Sequence, residues 1–350
     1  MKISRHARRG FAVIVVLVAV TVLSILAGAL AVFMKVESQL AQNGNDDEKL
    51  LWLGRAGVER ACWILAQEPG GASSPQQIWA GGPGVGPETN SPLTGISLEN
   101  FPVGDGTVSL KIIEQESKIN INRADTALLN QILTTMGADA GDISLVSDSI
   151  QDWIQPGDAP RPAGAKSDYY QGLTPPYNAK NAPVDDLEEL QLIKGITPEM
   201  FKGTPPDPDA TFQHHKLGFG NAPGQAPDYI FGLRDVLTPY SNGKINVNTA
   251  DSNVLACIPG MDGEAIQNIM TFRTSEGGYD NSSGVIQNLG QLNPMMQNPQ
   301  AQQQIARYGT VRGDTYEVHA TAQVGPDQRE FVAIVLRTGN TVQVVGFHPK

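Results

Sequence analysis

The sequence lacks the motifs that mark the common classes of enzyme and metal protein. No Gly-x-Ser-x-Gly elbow, P-loop or His-Glu-x-x-His segment occurs in the 350 residues, which argues against hydrolase, nucleotide-dependent and zinc-protease chemistry. Cysteine is limited to Cys62 and Cys257, which lie in separate predicted helices. An exported compartment would permit a disulfide, but a buried free thiol is the favoured role for each. The sequence therefore favours a non-catalytic protein.

Basic side chains are also scarce. The chain has 25 lysine and arginine residues against 36 aspartate and glutamate residues, and its formal net charge is −11. Four of the basic residues lie among residues 1–10, and without them the charge of the remaining chain becomes −15. An acidic body with no local basic patch repels the phosphates of nucleic acids. Nucleic acid is therefore not an expected partner.

One long stretch, residues 11–34, contains no charge and consists almost entirely of apolar side chains. At about 1.5 Å per residue, a helix of this length reaches roughly 36 Å, which is enough to cross the hydrocarbon core of a bilayer, about 30 Å thick. Lys2, Arg5, Arg8 and Arg9 precede it, and Glu37 is the first acidic residue. The positive-inside rule therefore predicts a transmembrane helix with its basic end in the cytoplasm.

The basic head, the Gly10-Phe11 junction and the apolar helix resemble a type IV prepilin leader. In that family a dedicated peptidase cleaves after the glycine, so that residues 1–10 would be removed and Phe11 would become the N-methylated N-terminus. Three alternatives stay open: a signal peptide cleaved near Ala27-Gly28-Ala29, a twin-arginine signal and a simple anchor. The length of the apolar run, and the helical pattern that continues beyond it, favour prepilin-type processing.

Periodicity predicts an α+β fold interrupted by a long helical block. A nearly continuous helix is expected over 11–66, with a kink or short break near 43–46, and 69–102 is expected to be a loop. Alternating apolar residues predict strands at 106–116, 316–324, 331–336 and 341–347. Because strands lie on both sides of the helical block, we expect one α+β domain, made of 35–117 and 309–350, from which the block is looped out.

The helical block contains an internal repeat. Residues 118–125, Lys-Ile-Asn-Ile-Asn-Arg-Ala-Asp, match residues 244–251, Lys-Ile-Asn-Val-Asn-Thr-Ala-Asp. Each copy predicts a short extended entry and a helix capped near Asn122/Arg123 or Asn248/Thr249, with an aspartate in the first turn, where the helix dipole favours an acid. We therefore expect two inserted helical subdomains, 118–243 and 244–308.

The second copy resembles a helix-hairpin-helix motif. DNA-binding versions, such as competence DNA-uptake proteins, offer backbone N–H groups of a Gly-hydrophobic-Gly hairpin to a phosphate. Here the hairpin is Gly260-Met261-Asp262-Gly263, one residue longer, and it carries a carboxylate where the anion would lie. The acidic composition and this carboxylate favour a purely structural hairpin. Helix-hairpin-helix DNA binding or uptake is the alternative function.

An acid-rich segment in the first subdomain could hold a hard cation. Asp148 and Asp152 are four residues apart and share one helix face, and Asp158 and Asp168 follow in predicted loops. Calcium takes six to eight oxygen ligands, so Asp152, Asp158 and Asp168 are candidate ligands and calcium is the candidate cofactor. Helix capping and polar turns explain the same residues, and the EF-hand loop pattern is absent.

Taken together, the sequence is similar to the type II secretion system protein K family of large minor pseudopilins. The similarity is carried by Arg9-Gly10-Phe11, residues 55–61, 152–154, 160–165, Tyr169-Tyr170, 187–195 and 244–250. The leader would fit any pseudopilin, whereas the inserted two-part helical domain points to protein K. The resemblance implies a pseudopilin fold, with a long N-terminal helix, a small antiparallel sheet and an inserted all-α domain of two SAM-like or helix-hairpin-helix-like bundles.

The resemblance also implies a role and partners. It implies a single-pass inner-membrane subunit with its C-terminal domain in the periplasm. The implied partners are I-type and J-type minor pseudopilins, the major pseudopilin and the prepilin peptidase. Most pilin-like subunits carry glutamate at the fifth mature position to neutralise a neighbour's N-terminal amine, but that position is Val15 here. An unpaired amine in lipid is costly, so the resemblance implies a subunit at the pseudopilus tip that starts assembly.

The resemblance makes the calcium expectation less secure. Members of the family contain a segment similar to Asp-Trp-x-Asp-x-Asp, followed by Gly-Ala-Glu. Calcium is associated with their helical domain. Gln155, Gly157 and Lys166 stand where three of those acids would be. Asp158 and Asp168 could compensate, but the Lys166 ammonium would repel a cation.

Overall fold

A computed structural model describes residues 6–84, 91–204, 229–274 and 284–350. The helices are α1 (His6–Gln67), α2 (Thr126–Met136), α3 (Ala140–Ile154), α4 (Ser167–Gln171), α5 (Pro198–Lys202), α6 (Leu233–Val236), α7 (Ser252–Ala256), α8 (Gly263–Thr274) and α9 (Pro299–Tyr308). The strands are β1 (Phe101–Val103), β2 (Gly106–Glu114), β3 (Ile119–Asn120), β4 (Leu237–Thr238), β5 (Ile245–Asn246), β6 (Gly309–Thr310), β7 (Thr315–Val324), β8 (Asp327–Thr338) and β9 (Thr341–Pro349). Short 3-10 helices lie at Ile78–Ala80, Gln115–Ser117, Leu187–Leu192 and Leu289–Met295.

Helix α1 is longer and more regular than the sequence predicts. It is unbroken through residues 43–46, where we expected a kink or short break. Its segment Val13–Ser38 is exposed along its whole length and has a mean hydropathy of 2.9. Within the described residues, this is the one helix long and apolar enough to cross a bilayer. The membrane half and the globular half of the N-terminal region therefore form one continuous helix.

The second half of α1 packs closely on a five-stranded sheet because two glycines remove the side chains that would separate them. A Cβ atom on Gly57 would lie 2.8 Å from Val108 Cγ1 and 3.1 Å from Ala320 Cβ. A Cβ atom on Gly54 would lie 2.3 Å from Phe331 Cδ2. Neither position leaves room for the Cβ atom of an alanine unless neighbouring atoms move, so the close approach of helix and sheet requires both glycines.

The sheet has the strand order β1-β2-β7-β8-β9, and every neighbouring pair is antiparallel. The four strands expected from alternating apolar residues are all present. β2 pairs with β7, although the two strands are separated in the chain by the whole helical block. The long helix, the small antiparallel sheet and the insertion between β2 and β7 confirm the predicted α+β pseudopilin architecture.

The segment 69–102 is not simply a surface loop, contrary to expectation. It contributes Ile78, Trp79 and Leu93 to the core beneath the sheet, and the Trp79 ring packs edge-on to Tyr316 with centroids 5.3 Å apart. These anchors are widely spaced and lie in irregular backbone, so they have no period that sequence inspection detects. Strand β1 at the end of this segment was missed for the same reason.

Each copy of the internal repeat begins with a strand that pairs with a strand later in the chain. β3 pairs in parallel with β4, and β5 pairs in parallel with β6. The second asparagine of each repeat then binds a distant backbone segment through both atoms of its amide group. Asn122 exchanges hydrogen bonds of 2.7 and 2.9 Å with Val184, and Asn248 exchanges bonds of 2.8 and 2.9 Å with Ile286. The repeat thus closes two helical units in equivalent ways.

The predicted N-caps were wrong. Asn122 and Asn248 do not cap helices, because their side chains make the long-range bonds just described. The caps are Asp125 and Asp251, whose carboxylates accept from Leu128 N at 2.9 Å and Val254 N at 2.7 Å. The aspartates that we placed in the first helical turn therefore precede it and satisfy its free N–H groups. One hydrophobic core extends through both units, and a second core lies between α1 and the sheet.

Candidate functional site

The insertion leaves the sheet at the end farthest from the apolar segment of α1. Near the start of β2, a Cβ atom on Gly106 would lie 2.5 Å from Leu53 Cδ1, so this end of the sheet faces the middle of α1. At the other end, Glu114 pairs with Tyr316. There the Glu68 carbonyl, just beyond α1, accepts from Arg337 Nη2 at 2.5 Å. From Ser38 to Gln67 the helix rises roughly 45 Å, which places the insertion far from the membrane segment.

Three consecutive polar residues, Glu114, Gln115 and Glu116, fasten the insertion to the sheet, and we call them the junction. All three are at most 3% exposed. Their partners come from both helical units and from the start of β7. Asn246 Nδ2 donates to Glu114 at 2.8 Å, and Thr238 Oγ1 donates to Gln115 at 2.5 Å. The backbone amides of Asn242 and Thr315 each donate to Glu116 at 3.1 Å. Buried polar groups need such partners, so the junction fixes where the insertion lies.

Burial also changes the acid–base chemistry of the junction. The pKa of Glu114 is raised to about 7: desolvation by burial is the main cause, the hydrogen bond from Asn246 opposes it, and the carboxylates of Glu116 and Asp314 add to it. Desolvation likewise raises the pKa of Glu116. The junction could not be recognised in the sequence, because three polar residues at a strand end look like the start of a surface loop.

The residues of the predicted processing site lie in α1. Gly10 and Phe11 are both helical, and residues 1–5 of the predicted leader lie outside the described residues. Val15 is 52% exposed within the apolar segment, so its side chain is available to lipid or to a neighbouring helix. Cleavage at Gly10 and methylation at Phe11 stay predictions.

Helix α1 presents an exposed aromatic stripe on the face that points away from the sheet. Trp52, Arg55, Glu59 and Trp63 follow one another at intervals of three or four residues and form the outer stripe. Trp52 is 58% and Trp63 is 41% exposed, and the Arg55 guanidinium lies 5.2 Å from the centroid of the Trp52 ring. Large exposed aromatic side chains at helical spacing are typical of a surface that packs against another helix.

The acid-rich segment folds differently from a metal site. Asp148 and Asp152 share a face of α3, as predicted, and both bind the loop that follows the helix. Asp148 Oδ2 accepts from the Ala163 amide at 3.1 Å, and Asp152 Oδ2 accepts from the Arg161 amide at 2.9 Å. The other Asp152 oxygen accepts from Arg161 Nη1 at 2.9 Å. The carboxylate of Asp152 is 1% exposed, and each of its oxygens accepts from a protein donor.

The remaining candidate ligands are not gathered around Asp152. Asp158 lies in a loop, as predicted, but Asp168 lies in the first turn of α4 rather than in a loop, and both are exposed. The Lys166 ammonium, in contrast, lies 2.6 Å from the Asp152 carbonyl oxygen. Burial lowers the pKa of Lys166, and the Asp152 carboxylate opposes that change. Across the described ranges, no group of three or more His, Cys, Asp and Glu side chains is arranged to hold a metal. The donors present here do not fit a calcium ion.

The two thiols are buried and unpaired. Cys62 and Cys257 are both free, as the sequence predicts. Desolvation raises the pKa of Cys62 to about 11, with a further contribution from Glu59, and it also raises the pKa of Cys257. Thiols with raised pKa values carry little thiolate and react slowly.

Known proteins are similar to this chain in sequence and in fold. A family model for type II secretion system protein K matches residues 108–206. The protein K of Pectobacterium carotovorum subsp. carotovorum is 21% identical over 218 residues, which cover 57% of this chain and 61% of that relative. The protein K of Klebsiella pneumoniae is 22% identical over 210 residues, covering 56% and 61%.

The GspK-GspI-GspJ complex from the type 2 secretion system of enterotoxigenic Escherichia coli contains a chain of the same fold. The match has a TM-score of 0.63 at 12% identity and covers 89% of this chain and 99% of that one. The chain is therefore similar to type II secretion system protein K in part of its sequence and in its fold. The matched sequence spans about three-fifths of the length of the two curated protein K relatives.

The hairpin of the second helical unit has a structural use in this chain. Asp262 Oδ1 accepts from the Ala265 amide at 2.8 Å, at the start of α8. The carboxylate thus accepts a hydrogen bond from one of the N–H groups that a phosphate-binding hairpin would offer to its ligand.

Proposed function

We propose that this chain is a non-catalytic minor pseudopilin that caps the tip of the type II secretion pseudopilus. In this role it starts assembly with I-type and J-type minor pseudopilins. The observation that carries the proposal is the position of the insertion beyond the C-terminal end of α1. A subunit inside a fibre needs free surfaces above and below for its neighbours. The insertion is longer than the rest of the globular part and lies at the end farthest from the membrane. It leaves the surface that faces the membrane free, but it obstructs the addition of another subunit above this one.

Two further observations support this placement. Val15 offers no carboxylate to neutralise the N-terminal amine of another subunit within lipid, so the chain is poorly suited to lie beneath other subunits. The outer stripe provides a helical surface for neighbours on the side of α1 away from the sheet. The related GspK chain was crystallised with GspI and GspJ, which supports subunits of those two types as the partners here.

The proposal also includes processing and location. The prepilin peptidase would cleave after Gly10 and leave a methylated Phe11. The mature protein would span the inner membrane once through α1, with its globular part in the periplasm. The major pseudopilin would then extend the fibre below the tip complex. The exposed and apolar Val13–Ser38 segment supports this topology.

Immunogold labelling of sheared pseudopili tests the tip position. An epitope after Lys350, at the exposed end of β9, should place gold at one end of each fibre. Labelling along the fibre would contradict the cap, and fibres without label would contradict incorporation.

Co-purification tests the partners. Trp63→Ala on the outer stripe should reduce recovery of the I-type and J-type subunits, whereas Leu192→Ala, an exposed apolar residue on the insertion, should not. Equal recovery from the two variants would exclude the outer stripe as the contact surface.

A further inference from the structure

The Lys166 ammonium is enclosed by oxygen atoms within the first helical unit. Lys166 is 5% exposed. Its Nζ atom lies 2.6 Å from the carbonyl oxygens of Asp152 and Gln155 and 2.8 Å from Asn181 Oδ1. An ammonium has three N–H donors and no acceptor, so three acceptors at these distances match the charged form of the side chain. We call these three oxygens the cage.

The chemistry of the cage is that of a hard-cation site. Two of its oxygens belong to the C-terminal end of α3, where helix carbonyls lack intrahelical partners and the dipole favours positive charge. The Asp152 carbonyl would normally accept from the residue four positions later, but that residue is Pro156, which has no N–H group. Backbone carbonyl and amide oxygens are ligands that calcium uses in proteins. A lysine fills this position instead.

A second side-chain cation neutralises the acid beside the cage. Arg161 binds the Asp152 carboxylate through Nη1 and through its own amide, and Arg161 Nη2 donates to Gln155 Oε1 at 2.8 Å. The Asp152 carboxylate is therefore paired with Arg161, and the Asp152 carbonyl oxygen accepts from the Lys166 ammonium. A divalent ion at the cage would lie within about 3 Å of the ammonium and would be strongly repelled.

We propose that Lys166 is a built-in cation that takes the place of a bound divalent metal. Its ammonium links the end of α3 to Asn181 and to the loop that contains Lys166 itself. The first helical unit therefore keeps this structure without calcium. The segment between α3 and α4 is closed by lysine and arginine side chains.

Thermal unfolding of the full chain in detergent tests the proposal, with calcium and with EDTA. A site saturated about a hundredfold above its Kd raises Tm by about 5–10 °C in a unit of this size. The wild type should show a difference below about 1 °C between the two conditions. Lys166→Glu should remove the ammonium and add a carboxylate to the cage, so its Tm should fall in EDTA and recover by about 5 °C or more in calcium.

Lys202→Glu is the matched control, because it makes the same charge change at an exposed lysine of the same unit. It should show no calcium response. A drop in the wild-type Tm in EDTA would overturn the proposal, and so would a folded Lys166→Glu variant that does not respond to calcium.

A second variant keeps the test decisive if Lys166→Glu fails to fold. Lys166→Met keeps the length of the side chain but removes its charge, and its Tm should fall equally in calcium and in EDTA. A Tm equal to or above that of the wild type would show that the ammonium does not stabilise the loop. Terbium luminescence excited through Trp153, the neighbour of Asp152, gives an independent readout: Lys166→Glu should bind terbium, and the wild type should not.

Discussion

Replacing Gly54 by alanine should destabilise the packing of α1 on the sheet. The new Cβ atom would lie 2.3 Å from Phe331 Cδ2, well inside van der Waals contact. The Phe331 ring is 1% exposed and stacks on Phe347, with centroids 5.5 Å apart and planes 7° from parallel, so it has little room to move. Overpacking of this kind costs about 3 kcal/mol at the upper end, and alanine recovers about 1 kcal/mol of helix propensity. The expected net loss is about 2 kcal/mol.

Gly44 provides the matched control in the same helix. It is exposed, and a Cβ atom built on it would have nothing within 4 Å. Gly44→Ala should therefore stabilise the protein by about 0.5–1 kcal/mol. Urea unfolding of the full chain in detergent, followed by tryptophan fluorescence, measures both changes. If Gly54→Ala were as stable as Gly44→Ala, the close approach of α1 to the sheet would be wrong.

Three further changes probe the junction, the acid-rich loop and the repeat. The folded pKa of Glu114, about 7, lies above its ordinary value of 4.5, so the contribution of Glu114 to stability should be fully present below pH 4.5 and should fall by about 3 kcal/mol as the pH rises from there through 7. Glu114→Gln should remove most of this slope in pH-dependent urea titrations; an unchanged slope would exclude Glu114 as its source. Gly164→Ala should destabilise by about 1–3 kcal/mol, because its Cβ would lie 2.0 Å from Asp152 Oδ2; an unchanged Tm would contradict that contact. Asp125→Ala should cost about 1 kcal/mol more than Asp251→Ala, because Asp125 also accepts from the Tyr308 hydroxyl at 2.9 Å and from Arg307 Nη2 at 2.7 Å; equal losses in urea unfolding would mean that these two bonds add nothing.

Local patterns in the sequence were sufficient to predict the frame of the fold. The strands that carry Val108 and Val318 alternate between a buried and a partly exposed face, and α1 has a helical period beyond its uniformly apolar first part. Both signals depend on neighbours in the chain, so they can be recognised without tertiary information. The insertion between β2 and β7 followed from the order of those patterns.

Features that depend on distant partners could not be predicted. The caps were misplaced because nothing local shows that Asn122 binds Val184. The role of Trp79 depends on the position of Tyr316. Lys166 was expected to repel a cation, but the cage forms only when the loop folds back on the end of α3. Such contacts depend on tertiary structure rather than on period or propensity.

The mature N-terminus is the most direct test of the claim that this chain is a pseudopilin. The protein would be co-expressed with and without a prepilin peptidase and analysed by intact mass and N-terminal peptide mass spectrometry. The account predicts a peptidase-dependent start at Phe11, heavier by one methyl group. A start near Leu30, or an intact Met1 in both samples, would contradict it.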